Sequence, residues 1–456
     1  LNFKTFYAIS RDGLFFDHLP DSVEEAAPKA KNVSLILDEI VENFPAPSGD
    51  INDPFQMRIT NLENDPYYGL MLVGKIARGV LNESDILAVV ENDSKGAITK
   101  SKVKKIFMKK GIKYENIHSA SVGEIVAIAG IDTDKIGATL CSTSKLEPLP
   151  KIEISPPSVV VKFEANTSPL VGEEGKFVTI KQLAERLKKE SAQNISLDIS
   201  EADSLGYYVK GRGELQLSIL METLRREGYE FQVKKPEVVY KEIDGKMYEP
   251  LEDLSLETPE EYIGAITTIM TERSAVLIDM QTIEGITRYE YKILTRNILG
   301  LRSSLINATK GNLVMSSFIS DYVEVQTQRD LYRNGVLIAS ESGVASGYAL
   351  NTIQERGELF VVPGAKIYEG MIVGINKYPE DMDVNAAKER HKSAVRMSRA
   401  EITLTRLKAP IDLTLDFALG FLAKDEMLEI TPKSLRLRKI YLDKNARIKA
   451  KKHTNA

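Results

Sequence analysis

The chain has 456 residues, too many for a single core, and its 43% apolar and 27% charged residues describe an ordinary multidomain globular protein. It contains no apolar run of the roughly eighteen residues that a membrane helix needs, and LNFKTFYAIS lacks a signal peptide, so neither a membrane span nor secretion is expected. A single cysteine excludes an intrachain disulfide and a cysteine-rich zinc site, and favours a reducing, cytoplasmic setting.

The net charge of −5 conceals three basic clusters. Residues 100–113 hold seven lysines and no acid, residues 388–408 hold seven bases against two acids, and residues 433–452 hold nine bases against one acid. One such cluster is commonly just a solvated face, but three in one chain indicate a polyanion partner, most simply nucleic acid.

In chain order, residues 1 to about 46 are predicted to form a strand end, a loop and a helix, the helix from apolar residues at helical spacing in KNVSLILDEIVENF. The PAPSG linker ends this segment. Short β-runs separated by glycine turns follow from about residue 55 to 149, which is typical of a small β-barrel. Two units with the order strand, helix, strand, strand, helix, strand come next, and this order is typical of ferredoxin-like split βαβ domains. Glycine-punctuated strands, a basic segment, a helix after Pro410 and a basic tail complete the chain.

The glycine turn in VKGRGELQLSILMETLRREG could cradle a phosphate or could only join a strand to a helix. A dinucleotide fingerprint would need glycine at position 216, where Gln216 stands, and a Walker loop would need lysine where Glu214 stands. A carboxylate in the first helical turn would repel phosphate. The pattern therefore predicts a structural turn and a packed helix that Gly228 terminates.

These units and several local sequences resemble the TypA/BipA family of ribosome-associated translational GTPases. GRGELQLSIL and ETPEEYIGAI are similar to motifs of the wider superfamily that includes elongation factor G. FEANTSPLVGEEGKFVT, ERGELFVVPGAKIYEGMIVG and LEITPKSLRLRK resemble the TypA/BipA branch specifically. The resemblance runs from about residue 30 to the end of the chain.

The resemblance implies a multidomain α+β fold with a translation-factor β-barrel, two ferredoxin-like domains and a family-specific, mainly-β domain. The implied ranges are 1–46 (the end of a GTPase domain), 47–149 (barrel), 150–237 and 238–325 (domains like III and V of elongation factor G), and 326–456 (C-terminal RNA-binding domain).

The family hydrolyses GTP with Mg²⁺, but the sequence contains no phosphate loop and no N-K-x-D motif, and its DSLG string falls in a turn. We therefore expect most of the GTPase domain to be missing, no catalytic or cofactor-binding residue in this chain, and inactivity when it is alone. The implied role is in large-subunit assembly or translation under stress, as a monomer that contacts rRNA and the acceptor end of tRNA.

The expected RNA-binding residues lie in the two C-terminal basic clusters. Arginine can bind phosphate bidentately, and serine can donate to a phosphate or a 2′-hydroxyl group. The predicted set is Lys388, Arg390, His391, Lys392, Ser393, Arg396, Arg399, Arg436, Arg438 and Lys439.

Two other interpretations are compatible with the residues. The chain could be a standalone, non-catalytic ribosome- or RNA-binding assembly protein, or a paralogue of elongation factor G. A GTPase whose N-terminal part was not recorded is a further alternative, because the sequence does not begin with methionine.

Overall fold

The structure is a computed structural model that describes residues 4–19, 32–65, 67–90, 99–150, 156–194, 196–203, 206–325, 333–389 and 407–454. The chain forms two compact units, Leu1–Glu153 and Ile154–Ala456.

The first unit begins with a hairpin and a helix, and continues as an antiparallel β-structure. The hairpin is β1 (Tyr7–Ile9) and β2 (Leu14–Phe16) around a 3-10 turn (Ser10–Asp12), and the helix is α1 (Ser34–Asn43). The remaining strands are β3 (Gln56–Arg58), β4 (Asn61–Asp65), β5 (Gly69–Arg78), β6 (Val80–Asn82), β7 (Ile86–Val90), β8 (Thr99–Lys102), β9 (Lys105–Lys110), β10 (Lys113–Ile117), β11 (Ser119–Ser121), β12 (Ile125–Ala129) and β13 (Thr139–Ser142).

Nine of these strands form one curled sheet in the order β10-β9-β12-β5-β3-β13-β7-β8, with β4 also paired to β5, while β6 and β11 pair separately. Side chains from strands near both ends of this sheet belong to one core, which contains Leu87 from β7 and Ile106 from β9. Because a sheet must curl for its two ends to share a core, this arrangement confirms the barrel-type fold.

The second unit starts with β14 (Val159–Ala165), α2 (Ile180–Gln193), β15 (Asp198–Asp203), β16 (Gly206–Gly211), α3 (Glu214–Arg226), β17 (Phe231–Lys234) and β18 (Glu237–Val238). The order β15-β16-β14-β17 in the sheet places the last strand beside the first, as the split βαβ pattern requires. Thr179 and Gln182 form a capping box at the start of α2, which explains where that helix begins.

The next segment repeats this topology. It contains β19 (Lys241–Ile243), β20 (Lys246–Pro259), a 3-10 turn (Glu260–Tyr262), α4 (Ile263–Glu272), β21 (Val276–Ile283), β22 (Ile286–Leu294), α5 (Thr295–Ile298), α6 (Leu301–Ala308) and β23 (Val314–Glu324). β23 pairs with β20, so the long strands again follow the order last, first, third, second. Tyr289 and Leu254 are fully buried where the sheet packs on its helices.

The C-terminal segment contains β24 (Val336–Ala339), β25 (Gly343–Val344), α7 (Gly347–Ile353), β26 (Gly357–Leu359), β27 (Lys366–Ile367), β28 (Ile372–Asn376), β29 (Met382–Val384), α8 (Leu415–Phe421), β30 (Glu426–Ile430), β31 (Leu435–Lys439) and α9 (Lys444–Thr454). β26, β28, β24 and β29 form one sheet, in which β24 and β29 run parallel. β30 and β31 instead extend the sheet of the first split βαβ domain, because β30 pairs with β17.

Two expectations for this segment are wrong. The run that was expected to be glycine-punctuated strands contains α7, because the Ser346 hydroxyl accepts a hydrogen bond from the Ala349 amide and caps a helix there. The segment expected to be a basic tail is the helix α9. The Asp443 carboxylate caps its first turn by accepting a hydrogen bond from the Ala446 amide at 2.8 Å.

A close glycine contact joins α8 to the turn between α5 and α6. A Cβ atom on Gly420 would lie 2.5 Å from the Gly300 Cα atom, and Gly300 has a φ of +72°. We expect Gly420→Ala to lower the free energy of unfolding by about 1–2 kcal/mol, because the backbones would have to separate. Gly264→Ala, where a Cβ meets nothing within 4 Å on helix α4, is the control and should be neutral or stabilising in thermal denaturation. Equal losses in both variants would contradict the packing argument.

Candidate RNA-binding surface

The basic segment that follows β29 is held at both of its ends by α7. The Ser346 hydroxyl donates to the Lys388 carbonyl, and the Ser346 amide donates to the Ala386 carbonyl at 3.0 Å. At the other end, the Lys408 amide donates to Gln354 Oε1 at 3.0 Å. Lys388 and Lys408, on either side of the residues outside the described ranges, therefore contact opposite ends of one short helix.

Lys388 is exposed at the start of this segment, as an RNA contact requires. The remaining predicted residues of the segment lie outside the described residues, so their role stays a prediction. They are Arg390, His391, Lys392, Ser393, Arg396 and Arg399.

The three predicted cations on β31 lie inside the protein. Arg438 is 3% exposed and donates to Thr167 Oγ1 at 2.9 Å and to Gln232 Oε1 at 2.6 Å. Arg436, also buried, pairs with Glu174. Their guanidinium groups are engaged by partners within the protein, so the prediction that they contact RNA is wrong for this structure.

Lys439 is the third of these cations and is 2% exposed. Its Nζ atom lies 2.8 Å from Asp381, 2.8 Å from Asp425 and 2.9 Å from Glu426. Burial alone would lower the pKa of Lys439, but these three carboxylates outweigh burial and hold the pKa above its usual value. The charged ammonium group therefore joins β31 to the surrounding loops and is not available to a ligand.

Glu429 lies at the centre of this buried network, on β30. Burial raises the pKa of Glu429 to about 6, although Arg438 and Arg436 oppose the shift from 3.7 and 3.6 Å. The Tyr368 hydroxyl donates to the same carboxyl group. The network thus connects the first split βαβ domain to the C-terminal segment and has the character of a structural junction.

Sequence reasoning missed the exposed cations of α9. Lys444, Lys449, Lys451 and Lys452 are exposed on this helix, and no acidic residue lies within it. The residue spacing in KNARIKAKK is compatible with a helix, and this signal was missed because the segment was interpreted as a basic tail.

The lysine cluster of the barrel is partly neutralised. Lys105 pairs with Glu83 at 2.9 Å, and Lys110 pairs with Glu115 at 2.5 Å. Lysines at a strand edge also protect that edge from pairing with another chain, so this cluster carries no assignment on its own. The exposed members are Lys100, Lys102, Lys104, Lys109, Lys110 and Lys113.

The glycine turn at residues 211–213 does not fit a nucleotide phosphate. Gln216 Oε1 accepts a hydrogen bond from the Arg212 amide at 2.8 Å, and Glu214 Oε2 accepts one from the Gly300 amide at 2.8 Å. Burial raises the pKa of Glu214 to about 7. The turn is therefore occupied by the protein's own acceptors, and α3 buries Leu217 and Met221 as the pattern predicted.

The described residues also provide no group of three or more His, Cys, Asp or Glu side chains that could hold a metal ion. The family resemblance implies Mg²⁺ and GTP, and no described residue is assigned to either of them. No helix within the described ranges has both the length and the apolar character to cross a membrane.

Comparisons with known proteins agree with the fold. Residues 334–444 match the model described as TypA/BipA C-terminal domain, and residues 246–330 match the one described as Elongation factor G C-terminus. The first match argues against a paralogue of elongation factor G, because it covers the C-terminal segment that the TypA/BipA branch alone was expected to have.

Curated relatives match nearly the whole chain. The protein named Large ribosomal subunit assembly factor BipA from Synechocystis sp. is 37% identical over 441 residues, which are 96% of this chain and 72% of the relative. Its namesake from Escherichia coli (strain K12) is 37% identical over 454 residues, or 99% of this chain and 73% of the relative. The namesake from Buchnera aphidicola is 36% identical over 425 residues, or 92% and 70%.

These alignments do not support the expectation that most of a GTPase domain is lacking. Identity of 36–37% along almost the whole chain, together with the matched C-terminal domain, does establish the family. This chain belongs to the TypA/BipA family.

Proposed function

We propose that this chain binds the ribosome and acts in the assembly of the large ribosomal subunit. The observation that carries the proposal is its 37% identity, over 96–99% of its length, to proteins named large ribosomal subunit assembly factors. A ribosomal partner also suits a chain whose bases are gathered into separate clusters, because the partner's surface is rich in phosphate.

The geometry of the C-terminal segment supports contact with rRNA. Lys388 is exposed, and hydrogen bonds to the two capping residues of α7 hold the backbone at Lys388 and at Lys408. A backbone that is already held at Lys388 loses little entropy when this lysine contacts phosphate, which favours affinity.

Three finer elements rest on the family resemblance. They are contact with the acceptor end of tRNA, a function in translation under stress, and a monomeric state in the cytoplasm. GTP hydrolysis with Mg²⁺ is proposed for the family's GTPase domain, and no described residue of this chain is assigned a part in it.

The proposal is tested by co-sedimentation with purified large ribosomal subunits over a salt series. We expect the wild-type chain to pellet with subunits and to be released steeply as salt rises. Replacing Arg390, Lys392 and Arg396 together with alanine should weaken binding about tenfold and reduce the salt slope by about 2, since three phosphate contacts are lost.

The matched control removes three exposed lysines from α2 by changing Lys181, Lys188 and Lys189 to alanine. This variant loses the same three positive charges from α2, where no RNA contact is proposed, so its affinity for large subunits should stay close to that of the wild type. A wild-type chain that does not pellet with subunits at low salt would overturn the proposed function. Equal losses in the two variants would remove the assignment to the basic segment.

A further inference from the structure

The C-terminal helix α9 divides its polar residues into two stripes. Residues on an α-helix are 100° apart, so those separated by three, four or seven positions share a face. Lys444, Arg447 and Lys451 fall on one such stripe. Asn445, Lys449 and Lys452 fall on a second stripe, about 130° around the helix axis from the first.

The first stripe is anchored to the aspartates at β29. Asp383 pairs with Arg447 and also with Lys444, the latter at 3.2 Å. Lys451 lies 3.8 Å from Asp381, the aspartate that also holds buried Lys439. These ion pairs set the rotation of the helix about its own axis, so the direction of the second stripe is also set.

The second stripe faces solvent. Asn445, Lys449 and Lys452 are exposed, whereas Ala446 and Ala450, about 90° and 130° around the helix from this stripe, are half-buried. With a rise of 1.5 Å per residue, the three donors span about 10 Å of the helix axis. They project from a helix without acids, next to the strand that leads into Lys388 and the basic segment.

We propose that the stripe of Asn445, Lys449 and Lys452 binds the phosphate backbone of rRNA, and that Asp383 is a positioning residue for it. The inference rests on the proposed function and deepens it by naming a second contact surface, most of which lies beyond the matched C-terminal domain at 334–444. Amide and ammonium donors are the usual partners of phosphate oxygens, and they position a protein on RNA without reading its sequence.

The helix does not suit the other common polyanionic surface, an acidic membrane. A helix that lies in a membrane interface needs a broad exposed apolar face. Ile448, 46% exposed, is the only large apolar side chain exposed on α9 among the described side chains. RNA is therefore the partner that the chemistry of this helix favours.

The test measures binding of the full chain to isolated large-subunit rRNA by filter retention over a salt series. The double variant Lys449→Gln and Lys452→Gln should bind about three- to tenfold more weakly, with a salt slope smaller by about 1.5. The control changes Lys188 and Lys189 of α2 to glutamine and should bind as the wild type does. Unchanged affinity in the Lys449/Lys452 variant, or an equal loss in the control, would overturn the inference.

Two further variants separate position from net charge. Lys449→Arg with Lys452→Arg keeps both cations and should retain wild-type affinity. Asp383→Asn makes the chain more positive, so electrostatics alone would raise its affinity for RNA; we expect a fall, because the anchored stripe is released. Increased affinity at an unchanged melting temperature would overturn the role of Asp383.

The inference and the proposed function can fail separately. If the chain binds naked rRNA through α9 but does not pellet with large subunits, the proposed function fails and the helix site stands. If the chain pellets with subunits and the Lys449/Lys452 variant does so equally, with unchanged rRNA binding, the helix site fails and the proposed function stands.

Discussion

Replacing Lys439 with methionine is expected to lower the free energy of unfolding by about 3 kcal/mol, because the buried Glu426 carboxylate and the partly buried Asp381 carboxylate lose this cation. The Lys439 ammonium group lies within 2.9 Å of Glu426, which is completely buried, and 2.8 Å from Asp381 and from Asp425. Arg333 also reaches Glu426, at 2.6 Å, but it cannot compensate for all three carboxylates.

The measurement is urea unfolding followed by circular dichroism, with Lys433→Met as the control. Lys433 is exposed in the turn before β31, so its replacement should change stability by no more than about 0.5 kcal/mol. A Lys439→Met chain that keeps its stability but loses affinity for rRNA would instead place this lysine at the RNA surface, as the sequence first suggested.

Replacing Glu214 with glutamine is expected to raise the free energy of unfolding at pH 8 by on the order of 2 kcal/mol. Burial, assisted by repulsion from Asp416, raises the pKa of Glu214 from 4.5 to about 7, against the hydrogen bond from the Gly300 amide and attraction by Arg273. The folded chain therefore binds the proton more tightly than the unfolded chain. The resulting stabilisation is complete below about pH 4.5 and is lost as the pH rises through about 7.

Unfolding midpoints at pH 8 and pH 5 provide the test. At pH 5 the folded wild-type side chain is already mostly protonated, so glutamine, which keeps an acceptor for the Gly300 amide, should gain little there. Glu201→Gln, at an exposed site on β15, is the control for loss of a surface charge and should show a difference near zero at both values. An equal gain at both pH values would contradict the ionisation argument.

The order of elements in the second unit was predictable because local patterns encode it. The helices α2 and α3 and the end of α3 near Gly228 were predicted, and both split βαβ units have the predicted strand order. Glu214 and Gln216 likewise indicated from the sequence that the glycine turn is structural, and both side chains accept backbone hydrogen bonds where the helix begins. The Gln216 contact with the Arg212 amide joins residues four positions apart, whereas the Glu214 contact with the Gly300 amide is long-range and was not predicted.

The candidate site was predicted only in part. The sequence identified the basic segment and its first residue, Lys388, which is exposed. It misplaced Arg436, Arg438 and Lys439, because the alternating pattern of β31 does not reveal which face another element covers. The burying partners, such as Glu174 and Asp381, are far away in the sequence.

The sequence by itself determined the family resemblance, the sequence of helices and strands in the two split βαβ domains, and the presence of three basic clusters. Only the tertiary structure decided which of those cations face solvent, because that depends on long-range carboxylate partners. β30 joins the sheet of an earlier domain through β17, and this pairing buries the cations of β31. The aspartates near β29 then divide the cations of α9 into an anchored stripe and an exposed one. A lysine or arginine side chain can bind a ligand only where the fold leaves it exposed and not paired with a carboxylate of the same chain.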